Sequence, residues 1–209
     1  MGRRRNTRLD NQRRSVANEA ARIMREQGVR DFLLAKKKAA QRLGIVDRGA
    51  LPGNDEIAGA ISEQQRLFGG DGYHDRLRAL REIALDALGL FQGFEPRVVG
   101  GVLTGAVTDN SPIELHVFAD TPEAVAFRLM EHDVPYEVLD RRVRYDSEHQ
   151  DLMPSYRFLA GDVQVDATVF PLTGLRQPPN CPVEGGPMRR ARGPELQALL
   201  WDQGALTTP

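Results

Sequence analysis

The spacing of apolar residues changes once along the chain, near Phe94, and this change constrains the fold more than any other feature. Before it, apolar residues recur every three or four positions, as on one face of a helix. After it, apolar and polar residues alternate, as on the two faces of a β-strand. The sequence therefore predicts an α+β protein in which a helical region precedes a small β-sheet.

The helical region is predicted to contain four helices with recognisable ends. Gly28 and Gly44 follow the last apolar residues of the first and second helices, and Asn54 is the predicted N-cap of the third. A further helix is predicted within the later α+β part. It begins with Thr121 as N-cap and has Pro122 at its first helical position, where proline costs no hydrogen bond.

The alternating part contains five predicted strands, followed by a change in composition. The strands are predicted at residues 97–102, 113–119, 136–145, 156–159 and 163–170. After Pro171 the chain becomes rich in proline and glycine, and a short helix is predicted at residues 194–203. We expect a helical region with a basic tail (1–93), an α+β domain (94–170), and an arm with a C-terminal helix (171–209).

Length, cysteine content and hydropathy limit the class of protein. The 209 residues contain one cysteine, Cys181, so a disulfide framework is excluded and a reducing compartment is favoured. No apolar run approaches the roughly 20 residues that a membrane-spanning helix needs. We therefore expect a cytoplasmic protein without a membrane partner.

Positive charge is concentrated at the start of the chain. Residues 1–48 contain 14 Lys and Arg against 5 Asp and Glu, although the net charge of the whole chain is −1. Clustered basic residues favour binding of RNA or DNA through phosphate contacts, and docking on the acidic remainder or a solvated helix face is the alternative. The basic clusters are Arg3, Arg4, Arg5, Arg8, Arg13 and Arg14; Lys36, Lys37 and Lys38; and Arg189, Arg190 and Arg192.

Two of the predicted strands carry carboxylates on their polar faces. Alternation places Glu114 and His116 opposite the apolar residues of "IELHVF", and Asp166 opposite those of "VQVDATVF". If the two strands are neighbours, these side chains lie on one surface. Two carboxylates a few ångströms apart favour a shared metal ion or a shared proton, because like charges repel.

The order of these features resembles a known family. The pair Gly100 and Gly101 follows an apolar strand, a turn of about ten residues leads to the strand of Glu114, and a helix separates it from the strand of Asp166. This layout resembles the nucleotidyltransferase superfold, which is shared by DNA polymerase beta-like enzymes, CCA-adding enzymes, aminoglycoside nucleotidyltransferases and minimal bacterial nucleotidyltransferases. The resemblance covers residues 94–170 and implies a small mixed β-sheet of nucleotidyltransferase-like topology.

The resemblance also implies a set of site residues with one departure. Gly100 and Gly101 match the glycine pair beside the nucleotide phosphates, and Glu114 and Asp166 match two of three acids that hold Mg²⁺ or Mn²⁺. Pro112 stands where the first acid is expected, and proline has no side-chain oxygen. His116 is a weak additional ligand in this scheme, and the charges of Arg142 and Arg144 would balance the phosphates of a nucleoside triphosphate.

Two functions follow as expectations. The first is a nucleotidyltransferase-like protein that binds a nucleotide and a divalent metal, with Glu114 and Asp166 as catalytic acids and with transfer weakened or lost. The alternative is a non-catalytic module, a pseudoenzyme, that keeps the fold and binds nucleic acid or a protein through its basic N-terminal region. In the alternative, Glu114, Asp166 and His116 are ordinary surface residues of strands, and the two glycines only form a tight bend.

Overall fold

The structure, a computed structural model, describes residues 2–29, 31–68 and 70–206, except for the side chains of residues 2–6, 66–71 and 202–206. The helices are α1 Gly2–Gln27, α2 Phe32–Arg42, α3 Asn54–Phe68, α4 Gly70–Leu90, α5 Gly100–Thr104, α6 Pro122–Glu131 and α7 Gly193–Leu206. The strands are β1 Arg97–Val99, β2 Ile113–Phe118, β3 Glu137–Arg144, β4 Gln150–Ala160 and β5 Val163–Phe170. None of the described helices combines the length and apolarity that crossing a membrane requires.

The chain divides into two compact units, of which the first contains α1, α2 and α3 with Ala106–Ser111 and Pro182–Glu184. Asp31 caps α2, because its carboxylate accepts a hydrogen bond of 2.7 Å from the N–H of Leu34. Asn54 is the first residue of α3 rather than its cap; the carboxylate of Glu56 accepts instead from the N–H of Gly53 at 2.6 Å. The helices pack through small apolar side chains at helical spacing, including Val16, Ala17, Ala20, Ala21, Ala35, Ala39, Ile57, Ala60 and Ile61.

The second unit is built on a five-stranded sheet with the order β1-β2-β5-β4-β3. Strands β2 and β5 run parallel, and the other neighbouring pairs are antiparallel. The predicted α+β class and the predicted mixed sheet are therefore confirmed. The order along the chain is also the one that the resemblance implies, from β1 through the glycine pair, β2 and α6 to β5.

The two faces of this sheet differ in what they bury. One face is apolar and is covered by helices: Phe158 packs edge-on against Phe91 just beyond α4 at 5.9 Å, and the hydroxyl of Tyr156 donates to the carbonyl of Pro122 in α6. We call the opposite face the site face. Its residues are Glu114, His116 and Phe118 of β2, Asp166, Thr168 and Phe170 of β5, and the side chains of β1, β3 and β4 that share their direction.

Two strands differ from their predicted extents by three residues or more, and one predicted cap makes no hydrogen bond. The first strand ends at Val99 instead of residue 102, because Gly100 has a φ of +69° and turns the chain into α5. Strand β4 starts at Gln150 instead of residue 156, because Pro154 is accommodated opposite Asp140 within the ladder. Thr121 holds the N-cap position of α6, but its side chain makes no capping hydrogen bond.

Candidate functional site

Glu114 and Asp166 are direct partners across the parallel strands β2 and β5. Both side chains belong to the site face, as the alternation of each strand predicts. The side chain of Asp166 is 6% exposed and that of Glu114 is 23% exposed. The structure therefore brings together the two carboxylates that the sequence singled out.

Arginine side chains hold both carboxylates. Arg157, opposite Asp166 in the register of β4 and β5, donates from Nε at 2.8 Å and from Nη2 at 3.1 Å to its two oxygens. Gln164 donates to Asp166 at 2.8 Å. Arg141 of β3 donates from Nη2 to Glu114 and places Nη1 3.9 Å from Asp166, so one guanidinium spans both acids. We call Glu114, Asp166, Arg141 and Arg157 the carboxylate end of the site face.

Burial, hydrogen bonds and neighbouring charges set the pKa values of Asp166 and Arg157. Burial raises the pKa of Asp166, but the hydrogen bonds from Arg157 and Gln164 and the charges of Arg157 and Arg141 hold that pKa below its usual value. The hydrogen bond to Asp166 in turn raises the pKa of Arg157. Asp166 and Arg157 are thus an ionised pair at neutral pH.

The carboxylate end does not fit the pair of divalent metal ions that the resemblance implies. Such ions need free carboxylate oxygens, whereas the oxygens of Asp166 accept from Arg157 and Gln164, and Glu114 accepts from Arg141. Among the residues that the structure describes, no three His, Cys, Asp or Glu side chains cluster as a metal site requires. The guanidinium of Arg141 supplies the positive charge between the acids that a metal would otherwise supply.

Gly100 makes room for Glu114. Its φ of +69° is favourable only for glycine, and a Cβ atom added to it would fall on Oε2 of Glu114. The carbonyl of Gly101 accepts from the N–H of Gly105 at 2.7 Å and closes the five-residue helix α5. Contact of these two glycines with phosphate stays a prediction.

A second group of side chains lies on the same face of the sheet, two residues further along β2. His116 is 4% exposed, and its Nδ1 accepts from Nε of Arg190 at 3.0 Å. The guanidinium of Arg190 lies 5.0 Å from the ring centre of Phe118 and 5.3 Å from that of Phe170, and its Nη1 donates to the carbonyl of Gly174 at 2.7 Å. We call His116 and Arg190 the histidine end of the site face.

This geometry differs from the prediction of His116 as an exposed residue or a weak metal ligand. The side chain is buried by the Phe170 ring, whose centre is 4.4 Å away, and one nitrogen already faces a guanidinium. Burial, and then the charges of Arg190 and Arg141, hold the pKa of His116 well below its usual value. The ring is therefore neutral at pH 7, and because Nδ1 accepts a hydrogen bond, its proton is on Nε2.

The arginine that reaches the acids is Arg141, whereas Arg142 and Arg144 were selected from the sequence. Residues of a strand alternate between faces, so Arg142 and Arg144 belong to the face opposite Arg141. Both are exposed. The structure does not bring them to Glu114 and Asp166.

Several residues of the predicted nucleic-acid surface make contacts within the first unit. Arg13 donates to the carbonyl of Gly49 at 2.8 Å, and Lys36 donates to that of Pro52 at 2.6 Å. Lys38 makes a longer contact of 3.4 Å with Gln27, while Arg14 and Lys37 are exposed. The side chains of Arg3, Arg4 and Arg5 lie outside the described residues.

Arg157 and Arg190 were not assigned to the site from the sequence. The signal for Arg157 is present, because a strand reaching Gln150 that pairs with β5 places Arg157 opposite Asp166. Arg190 was noted only as part of a basic triplet in the arm. It lies 74 residues beyond His116, and no local pattern predicts that contact.

Comparisons with known proteins are sparse. No protein-family model matches the chain, and no functionally curated protein matches it. The structure of a cytoplasmic RNA terminal U-transferase aligns with 48% of this chain at 19% sequence identity and a TM-score of 0.31. The aligned part is 29% of that protein's length, so the chain spans less than a third of it.

Proposed function

We propose that this protein is nucleotidyltransferase-like, binds the phosphates of a nucleotide through arginine side chains, and has lost metal-dependent transfer. One observation carries the proposal: the guanidinium of Arg141 spans Glu114 and Asp166. These are the two residues that would hold the catalytic ions in an active member of the superfold.

The loss of transfer follows from charge. Nucleotidyl transfer needs divalent ions that bridge the phosphates and align the attacking oxygen, and carboxylates must be free to hold them. Here Arg157 and Arg141 balance both acids, and Pro112 offers no oxygen at the position of the first acid. A metal would have to displace guanidinium groups that are already hydrogen-bonded.

Binding of a nucleotide is supported by the remaining charge of the site face. The guanidinium groups of Arg141 and Arg157 pair with the two carboxylates, whereas that of Arg190 forms no ion pair with a described residue. Guanidinium groups match the geometry of phosphate oxygens and stay charged at physiological pH. The site face therefore favours an anionic ligand over a metal cation.

The proposal is tested by thermal-shift measurements with ATP, GTP, CTP and UTP, each in EDTA, in Mg²⁺ and in Mn²⁺. We expect stabilisation by at least one nucleotide in EDTA, without a further increase when metal is added. A parallel assay with labelled nucleotide and an RNA acceptor should show no transfer. Asp162→Asn, at an exposed turn before β5, is a matched control for changes at the acids.

Two results would contradict the proposal. Absence of a shift with every nucleotide removes the nucleotide-binding function. Metal-dependent transfer that is abolished by Glu114→Gln, but not by Asp162→Asn, would show instead that the acids still hold catalytic ions.

A second candidate function rests on the first unit. Arg14 of α1 and Lys37 of α2 are exposed on helices that pack together, and such charges bind nucleic-acid phosphates. Binding of RNA or DNA that falls steeply with salt and weakens in Arg14→Glu and Lys37→Glu would support this candidate. Unchanged binding in both variants would exclude these residues as the contact surface.

A further inference from the structure

Arg190 is partly buried, and the contacts of its guanidinium do not satisfy all of its hydrogen-bond donors. Its Nε and Nη1 atoms are paired with His116 and Gly174, and its plane contacts the rings of Phe118 and Phe170. These contacts attach the arm to the sheet. They do not account for the third nitrogen of the guanidinium.

Two hydrogen-bond donors remain at the histidine end. Nη2 of Arg190 is buried, and none of the described groups accepts a hydrogen bond from it. Nε2 of His116 carries the proton of the neutral ring and makes no hydrogen bond to a described residue, but unlike Nη2 of Arg190 it is not a buried atom without a partner. A buried donor such as Nη2 of Arg190 is uncommon in folded proteins, because it costs the free energy of lost hydration.

The charge around Arg190 is also unbalanced. No carboxylate of the described residues forms an ion pair with it: Glu114 and Asp166 pair with Arg141 and Arg157. Burial first, and then the nearby charge of Arg97, lower the pKa of Arg190 to about 10, although Tyr145 opposes this change. Arg190 therefore remains protonated at neutral pH in a partly buried place without an acid.

We propose that Arg190 forms a metal-independent binding site for a phosphate group, with Nη2 as its donor and with His116 orienting the guanidinium through Nδ1. A guanidinium with a free N–H suits an oxygen-rich anion. The site deepens the proposed nucleotide-binding function, on which it rests, by assigning the phosphate tail of the ligand to this end. The same chemistry suits inorganic phosphate or triphosphate.

Isothermal calorimetry in EDTA at constant ionic strength tests this site with four probes: phosphate, inorganic triphosphate, ATP and adenosine. We expect triphosphate and ATP to bind and adenosine not to bind. Arg190→Met should weaken the binding of both at least about tenfold, the typical worth of a charged hydrogen bond. Arg189→Met changes an exposed neighbour and should leave the dissociation constants unchanged.

A second pair of variants keeps the test valid if Arg190→Met does not fold. Arg190→Lys retains the charge without the guanidinium geometry, and His116→Phe retains an aromatic ring without the Nδ1 acceptor that orients Arg190. Each should weaken triphosphate binding. Circular dichroism and the unfolding temperature report separately whether each variant is folded.

The outcomes separate this site from the proposed function. If ATP binds the native protein and Arg190→Met equally well, the phosphate site is overturned while nucleotide binding stands. If triphosphate binds through Arg190 but ATP does not bind, the phosphate site stands and the nucleotide function fails. If none of the four probes binds, both are overturned.

Discussion

The carboxylate end and the histidine end of the site face are two residues apart along β2, and they differ in how their charges are paired. At the carboxylate end, Asp166 and Glu114 each accept from an arginine of the same sheet. At the histidine end, Arg190 has no acid and one buried N–H without an acceptor. A network completed within the chain stabilises the fold, whereas a buried donor without an acceptor costs free energy.

The largest expected effect comes from breaking the completed network. Asp166→Asn removes the charge that pairs with Arg157 and leaves its guanidinium partly buried without a counter-ion. We expect the free energy of unfolding to fall by about 3 kcal/mol, the lower range for disrupting a buried ion pair. Chemical denaturation measures it. Asp162→Asn, with an exposed side chain, should change the same quantity by less than about 0.5 kcal/mol, and equal effects of the two variants would refute a structural role.

A smaller effect tests how tightly Glu114 is held. Gly100→Ala places a methyl group on the carboxylate of Glu114 at a φ of +69°. Gly161 is a matched control, because its φ is +65° and nothing lies within 4 Å of the added methyl. We expect a loss of about 1 kcal/mol in Gly161→Ala from the backbone alone and about 2 kcal/mol in Gly100→Ala.

The double variant Gly100→Ala with Glu114→Ala isolates the contact. Removing the Glu114 carboxylate should recover the additional loss of Gly100→Ala but not the part due to φ. If Gly100→Ala and Gly161→Ala lower the free energy of unfolding by the same amount, the carboxylate of Glu114 is not held against Gly100.

The carboxylate end could be predicted from the sequence further than the histidine end. Alternation within β2 and β5 put Glu114 and Asp166 on one face, and the resemblance supplied the neighbouring order of the two strands. Their arginine partners could not be predicted in the same way. The partner of Glu114 depends on the reach of Arg141 across the sheet from β3, which alternation within a strand does not report.

The histidine end depends on contacts distant in sequence. The period of β2 placed His116 on the polar face, and polar residues on a strand are ordinarily exposed, so its burial was not expected. The burial arises because aromatic residues of β2 and β5 share the face and Arg190 of the arm covers them. Neither the arm's proline and glycine content nor its basic triplet specifies which arginine turns inward.

The pH dependence of stability separates the two ends. The folded pKa of His116 is depressed, so the unfolded chain binds more protons, and stability should fall as the pH drops below about 6.5, the unfolded histidine value. The pKa of Asp166 is also depressed, but its contribution is lost only as the pH falls below about 4. Between about pH 6.5 and pH 5, the histidine end alone should contribute, by up to about 1.4 kcal/mol per pH unit.

Denaturant titrations at several pH values between 7.5 and 5 measure this slope. His116→Gln removes the titrating group and should flatten it. His132→Gln, at an exposed position after α6, should leave it unchanged. A native protein whose stability is constant over this range would mean that His116 is not held neutral by its surroundings.

The smallest effect on stability is expected from replacing Arg141, a change that also tests whether the carboxylate end can bind a metal ion. Arg141 is 39% exposed, and its pair with Glu114 is partly solvated, so Arg141→Met should reduce the unfolding free energy by less than about 1 kcal/mol.

The same Arg141→Met change leaves Glu114 without a positive partner. In manganese titrations followed by electron paramagnetic resonance, we expect weak Mn²⁺ binding by Arg141→Met and none by the native protein. Arg142→Met, on the opposite face of β3, should behave as the native protein does, because its side chain does not approach the acids. Equal Mn²⁺ affinity of the native protein and Arg141→Met would mean that the guanidinium of Arg141 does not prevent metal binding by the two acids. The carboxylate end, like the histidine end, would then have groups available for a ligand.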